Sequence, residues 1–191
     1  MRKLMIASDI HGSAYYCRKL MEAWEREQPE KLLLLGDLLY HGPRNDLPKE
    51  YAPKEGIPML SSLKEKILAV RGNCEAEVDQ MVLEFPVMAE TCMISEGKML
   101  VMVTHGHVYN LEHPPQLQKG DILLHGHTHV PANVETETFR YLNPGSVSIH
   151  KEGSAHSYMI LENGVFTWKD LDGKAYMSWT GKTVAKLKPL I

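Results

Sequence analysis

Short apolar runs recur along this chain, and each ends abruptly in polar residues. The runs Leu4-Met5-Ile6-Ala7, residues 31–35, Ile67-Leu68-Ala69-Val70 and Ile122-Leu123-Leu124 are continuous rather than alternating, the pattern of strands buried on both faces. Between the first two, Cys17, Leu20, Met21 and Trp24 recur at helical spacing within residues 14–28, with Ser13 placed as N-cap and Pro29 as terminator. Short helices are predicted around residues 59–65 and over 76–83, where Val78, Met81 and Val82 share a helical spacing. Residues 91–95 and 99–104 read as a hairpin around Glu96-Gly97-Lys98. Residues 139–142 read as a strand, and 157–161, 165–171 and 175–179 as a meander through Asn163-Gly164 and Asp172-Gly173 that completes a second sheet. Residues 40–58, with at most one helical turn, and 108–119 read as long loops, a type that often faces substrate. Residues 181–191 carry Val184, Leu187 and Leu190 among lysines, and either dock on the body or join a neighbouring subunit.

Composition narrows the class. A chain of 191 residues with 43% hydrophobic content suits one domain with its own core. The net charge of -3 and pI near 6.4 provide no electrostatic footprint for nucleic acid. Cys17, Cys74 and Cys92 are odd in number and scattered, which fits a reducing compartment rather than a disulfide framework. Asp9 interrupts the first apolar run too early for a signal peptide, and no stretch is long enough to span a membrane. A soluble cytoplasmic protein is expected.

The polar residues at the strand ends carry the candidate chemistry. Asp9 and His11 follow the first strand, Asp37 the second, and Asn73 and Cys74 the third; His105 closes the hairpin, and His127 and His129 follow Ile122-Leu123-Leu124. Residues i and i+2 of an extended backbone point the same way, so each His-x-His or Asp-x-His pair can face one point, and Gly126 lets the chain turn beside it. Each member also has an ordinary reading: Asp37 and Asn73 as turn residues, Cys74 as a small apolar one, the histidines as loop residues. His105 is preferred to His107 because it sits at the strand end. A helix N-terminus after Asn73-Cys74 would favour anions and lower the thiol pKa. His41, Arg44 and Asn45 read as solvated, His125 as a core or supporting residue, and His150 and His156 as structural or exposed. Taken together, Asp9, His11, Asp37, Asn73, His105, His127 and His129 are too many donors for one first-row metal but suit two, with one carboxylate shared.

The ordered set Asp9-Ile10-His11, Gly36-Asp37, Gly72-Asn73-Cys74-Glu75, His105 and Gly126-His127-Thr128-His129 resembles the calcineurin-like metallophosphoesterase superfamily, and in size its small bacterial phosphodiesterases. The resemblance runs from Asp9 to at least Ser146. It implies an α/β fold, a four-layer α-β-β-α sandwich of two mixed sheets flanked by helices, as a single metallophosphoesterase domain over residues 1–191. It further implies that Asp9, His11, Asp37 and His129 hold one divalent ion and Asp37, Asn73, His105 and His127 another, with Asp37 and a water or hydroxide bridging them. The activity implied is hydrolysis of a small-molecule phosphodiester; the alternatives are a phosphomonoesterase or nucleotide phosphatase, and a non-catalytic scaffold. Manganese is the expected metal, ahead of zinc, iron or magnesium. The candidate catalytic group is Asn73, Cys74 and Arg71, with Arg71 either pairing with a phosphate oxygen or bracing structure. Cys74 departs from the histidine of many relatives, a weaker proton donor for a leaving group. Glu75 is expected to support a neighbouring site residue or the helix dipole, and residues 143–148 to support the site from beneath. No nucleic-acid or membrane partner is expected, and homo-oligomerisation is left open.

Overall fold

Strand β1 (Leu4–Ala7) is buried along its whole length and separates two cores. Leu4 and Ile6 join one apolar cluster, Met5 and Ala7 another, because successive strand side chains project to opposite faces. The computed structural model describes residues 3–96 and 99–181. Helix α1 (Ala14–Glu27) follows β1, and Ser13 caps it, its Oγ accepting from the Tyr16 N–H at 3.2 Å. Its buried face, Cys17, Leu20 and Trp24, packs with Met5, Ala7, Leu32 and Leu34.

Strand β2 (Lys31–Leu34) pairs in parallel with β1, and β3 (Ile67–Ala69) in parallel with β2. Between them lie helix α2 (Pro53–Ser61) and a 3-10 turn (Lys64–Lys66). The predicted helix around 59–65 thus begins earlier, inside the segment read as loop. Proline at a first helical turn lacks only an N–H that has no partner there, and its φ is already helical; Pro53 starts the helix, and Pro58 is accommodated within it while Gly56 and Leu60 are buried. As an edge strand, β3 leaves Leu68 40% exposed, so this run is not buried on both faces. Helix α3 (Glu77–Val82) begins three residues beyond Cys74, and its Val78 and Met81 face solvent rather than a core.

Strands β4 (Cys92–Glu96) and β5 (Met99–Val103) form the expected antiparallel hairpin; the turn residues 97 and 98 lie outside the described residues, as does the C-terminal segment beyond Gly181. Strands β6 (Ile122–Leu124) and β8 (Arg140–Asn143) continue that sheet in parallel, and β7 (Ala132–Glu135) closes it antiparallel to β8. No pattern announces β7, whose one β-branched residue, Val134, is exposed. Strands β9 (Ser157–Glu162), β10 (Val165–Asp170) and β11 (Ala175–Thr180) form the predicted meander. Asn163 and Gly164 have the positive φ, 52° and 76°, that a type I′ turn requires. The meander does not complete a second sheet, because β9 pairs antiparallel with β1.

The result is two mixed sheets, ordered β11-β10-β9-β1-β2-β3 and β4-β5-β6-β8-β7. Ile6, Leu33, Val103, Leu124, Phe166 and Trp168 fill the space between them. Helices α1 and α2 cover the outer face of the first sheet, while Leu123, Phe139 and Tyr141 cluster with Leu117 on the second. Among the described residues no helix is long and apolar enough to cross a membrane.

Glu27 ties the end of α1 to the meander. Its Oε1 accepts from the Tyr158 hydroxyl at 2.9 Å and from Lys169 Nζ at 2.6 Å, and Lys3 Nζ lies 3.4 Å from Oε2. Burial alone would raise the Glu27 carboxyl, but Lys169, Tyr158 and Lys3 hold it below its ordinary value of 4.5. A depressed carboxyl contributes stability that is present above the unfolded value and lost as pH falls through the folded one. Glu27→Gln is expected to destabilise the protein by about 1–2 kcal/mol at pH 7, the partly exposed lysines being screened, with the difference from wild type shrinking below pH 4.5. Urea denaturation at both pH values checks this; a gap that persists undiminished in acid would contradict it.

Candidate metal centre

The hydrogen-bond ladder between β1 and β2 does not stop where the strands end. Leu35 N–H donates to the Ala7 carbonyl at 2.9 Å, Asp9 to Gly36 at 3.1 Å, His11 to Asp37 at 2.9 Å and Gly12 to Leu38 at 2.8 Å. Two loops are thereby zipped together with Asp9, His11 and Asp37 between them. The second sheet delivers His105 from the end of β5, and His127 and His129 from the end of β6. Asp9, His11, Asp37, His127 and His129 all have φ between 50° and 65°. The paired residues therefore do not converge by strand alternation, as the sequence suggested; a left-handed backbone, uncommon for residues other than glycine, aims them. Gly126 is not among the positive-φ glycines. It is needed for close approach, since a Cβ there would collide with Ser8 Oγ and Asp9 Oδ2.

The side chains form three donor groups. Asp9, His11 and His129 make one, Asp37, His105 and His127 a second, and His11, Asp37 and Cys74 a third that shares a residue with each, with donor atoms within 4.8 Å of one another in each. His11 Nε2 is 3.1 Å from His129 Nε2, and His127 Nδ1 is 3.1 Å from His105 Nε2. Asn73 Oδ1 joins the second group, 3.1 Å from His105 Nε2. Asp37 lies between them, its Oδ2 being 3.8 Å from His11 Nε2 and 3.5 Å from His105 Nε2. Asp9 Oδ1 is buried without a well-formed hydrogen bond, although it faces His11 Nε2 at 3.6 Å and His129 Nε2 at 3.3 Å. A buried oxygen with spare lone pairs among imidazole nitrogens fits a cation.

Backbone carbonyls fix which nitrogen of three rings is free. Nδ1 of His11 meets the Tyr40 carbonyl at 2.8 Å, that of His105 the Leu35 carbonyl at 2.7 Å, and that of His129 the Ile149 carbonyl at 2.6 Å. A carbonyl only accepts, so each Nδ1 carries a proton and donates, and Nε2 turns to the cluster. Burial opposes charge on both carboxylates, yet the surrounding imidazoles hold Asp9 well below its usual range and, led by His105, hold Asp37 below it. Burial lowers His105 while Asp37 and Asp9 raise it, and the carboxylates win at about 9. Burial and then His105 push His127 down to about 4.

Other groups hold the donors in place. The Glu75 carboxylate accepts from the backbone N–H of Asp37 at 2.9 Å and of Leu38 at 2.6 Å, and also from Gly72. Glu75 thus supports Asp37, not the dipole of α3. Ser146 and Ser148 hydroxyls both donate to the Asp9 carbonyl, at 2.9 and 3.1 Å, and Asn143 Nδ2 donates to the Gly126 carbonyl at 2.8 Å. His125 is buried and stacked on Tyr141 at 4.3 Å. Cys74 N–H donates to Asp37 Oδ1 at 2.9 Å, and its Sγ lies 3.3 Å from Oδ2. Burial, then the carboxylates of Asp37 and Glu75, push its thiol up. That reverses the expectation of a lowered pKa: the helix starts too late to act on Cys74, and the carboxylates are closer. Arg71 Nη2 donates to the Glu75 carbonyl at 3.2 Å and Nη1 lies 3.8 Å from Glu90. His107 stays outside the donor groups, its ring 5.5 Å from that of His105.

The domain profile of the calcineurin-like phosphoesterase superfamily matches residues 2–164. The chain belongs to this superfamily. It is 44% identical over 167 residues to the phosphodiesterase YfcE of Escherichia coli K12, spanning 87% of this chain and 91% of the relative. The solved structure of E. coli YfcE, a phosphoesterase, superposes with a TM-score of 0.90 at 41% identity, covering 94% of this chain and all of the other. Vacuolar protein sorting 29 from Cryptosporidium parvum superposes at 0.60 and 19% identity over 94% of this chain and 98% of its own, which speaks for the fold alone.

A pocket of about 410 Å³ opens over the cluster of this calcineurin-like phosphoesterase. Its walls include Arg44 and Asn45, read from sequence as solvated, and Thr128 and Lys151, which sequence reasoning missed. No spacing marks Arg44, Asn45 or Lys151; only the folding of loops 40–52 and 146–156 over the same edge does, while Thr128 lies there between His127 and His129.

Two outcomes follow from this geometry. Glu75→Gln loses an acceptor for the amides that seat Asp37, so manganese affinity measured by calorimetry is expected to fall about 10- to 100-fold with unchanged circular dichroism; unaltered affinity would remove Glu75 from the site. His105, raised to about 9, is protonated at neutral pH and must lose that proton to serve as a ligand. Manganese uptake at pH 7 is therefore expected to release protons and to strengthen as pH rises toward 9, which titrations in buffers of different ionisation enthalpy detect; uptake without proton release would contradict it.

Proposed function

We propose that this chain is a metal-dependent phosphodiesterase acting through a dinuclear centre. The observation that carries the reading is the position of Asp37, one carboxylate reaching toward both donor groups. In this reading Asp9, His11, Asp37 and His129 hold one ion, and Asp37, Asn73, His105 and His127 hold the second. Two such ions, when bound, lower the pKa of water and neutralise phosphate oxygens. Imidazole, carboxylate and amide donors without a thiolate cage suit manganese first, with zinc, iron or magnesium next. The 44% identity to a phosphodiesterase over most of both chains supports a diester substrate.

The chain's own residues contribute orientation and exclusion. Carbonyl-anchored imidazoles keep their free nitrogens aimed without reorganisation. Asn73 stands where the donor set meets the pocket, facing the space open to a substrate. Cys74, on the same wall with its thiol pushed up, is a poor proton donor, which favours leaving groups that need little protonation. The contacts of Arg71 with Glu75 and Glu90 support a bracing role over phosphate binding. Residues 1–191 are read as one domain, supported by the pairing of β9 with β1. The three free cysteines support a reducing, cytoplasmic setting.

Metal-stripped protein is expected to cleave bis-p-nitrophenyl phosphate only after manganese is restored, and faster than diphenyl phosphate. Asp37→Ala is expected to lower turnover by more than the roughly 10- to 100-fold that loss of an outer partner causes. Cleavage of p-nitrophenyl phosphate alone would favour a monoesterase, and metal binding without any turnover a scaffold.

A further inference from the structure

We infer that Arg44 and Lys151 recognise a second anionic group on the substrate, so that this enzyme acts on phosphodiesters whose retained arm carries an oxyanion. The inference deepens the diesterase reading and rests on it. Both residues line a pocket over the donor cluster, on loops that run close beside it. Arg44 follows Gly42, whose position against the site is so close that a Cβ would lie 3.3 Å from Cys74 Sγ. Lys151 N–H reaches the carbonyl of His129 at 3.4 Å, and His129 Nδ1 in turn meets the Ile149 carbonyl at 2.6 Å. Two loops far apart in sequence thus bring one cation each to the same space.

Neither cation is engaged. Arg18, Arg26, Arg71 and Arg140 each bind a carboxylate, hydroxyl or carbonyl; among the described residues Arg44 has no such partner, and Lys151 makes only main-chain hydrogen bonds. Asp37, already committed to the donor groups, is the only carboxylate lining the pocket among the described residues. The chain as a whole is acidic, with net charge -3, so this pair is not a sample of a generally basic surface. A pocket of about 410 Å³ lies within the size range of small-molecule sites and exceeds what one phosphate needs. The guanidinium fork and the ammonium are the two side chains suited to carboxylate and phosphate oxygens. Both sit exposed on the rim, where solvent screening keeps the effect to about 2- to 5-fold per contact.

The test uses manganese-loaded enzyme and four p-nitrophenyl diesters with the same leaving group, differing in the retained arm: ethyl, choline, carboxymethyl and phosphoethyl. Wild type is expected to prefer the carboxymethyl or phosphoethyl arm to ethyl by about 4-fold or more in kcat/KM, and ethyl to choline; which anionic arm is faster separates a carboxylate from a phosphate as the group read. Arg44→Ala and Lys151→Ala are expected to lower the anionic-to-ethyl ratio. Arg44→Glu with Lys151→Glu is expected to reverse it in favour of choline, a gain that a misfolded protein cannot display. Equal preference for all four arms, or variants that reduce all four in proportion, would overturn the inference while leaving the diesterase reading standing. Failure to turn over any of them or bis-p-nitrophenyl phosphate would instead sink that reading.

Discussion

Two carboxylates, Asp9 and Asp37, are withdrawn from water with side-chain exposures of 0% and 3%, and among the described residues no lysine or arginine pairs with either. Buried charge without a counter-charge costs several kcal/mol per ion, so the fold must supply positive charge at this point. Imidazoles can supply some: His105 rises to about 9 because the carboxylates face it. They cannot supply enough, since burial, and then the charge on His105, push His127 down to about 4. The conflict is one that divalent cations resolve. Three rings are already turned by backbone carbonyls to present Nε2 to the cluster, and Asp9 Oδ1 is left without a well-formed hydrogen bond.

That arrangement sets demands on the backbone. Left-handed conformations at aspartate and histidine cost of order 1–3 kcal/mol each and persist where surrounding structure over-determines them. Here the ladder carried on from β1 and β2 fixes Asp9, His11 and Asp37, and Glu75 holds the amides of Asp37 and Leu38 from the far side. The serines at 146 and 148 clamp the Asp9 carbonyl, and Asn143 clamps that of Gly126. Residues that touch no substrate are thus spent on holding a strained loop pair, which is why the stretch from Asn143 to Ser148 is as polar and as buried as the site itself.

Much of this was legible in the sequence, for reasons that also mark the limit. Continuous runs such as Leu4-Met5-Ile6-Ala7 and the capped, periodic α1 are local features, and local physics reports them faithfully. The candidate donors could be picked out because chemistry limits which side chains can serve, and the fold places them close together at one edge. The left-handed backbone that aims them was not, because only tertiary hydrogen bonds stabilise it. Sheet membership was misassigned because β9 pairs with a strand more than 150 residues earlier, and nothing within the meander specifies that partner. Helix α2 was obscured by its two prolines, and β7 by the lack of any buried apolar alternation.

The contrast between floor and rim has a consequence for how such a site diversifies. The donors are buried, strained and tied into the inter-strand ladder, so substitution among them leaves an unpaired buried charge or a collision such as a Cβ at Gly126 would make. Arg44 and Lys151 are exposed and without ion-pair partners, and surface changes of that kind fall usually within about 0.5 kcal/mol of neutral. The floor is therefore held by stability as well as by chemistry, while the rim is free to change what it reads. Solved structures with only 19% identity keep the fold over most of this chain, so the sheets tolerate wide change in sequence.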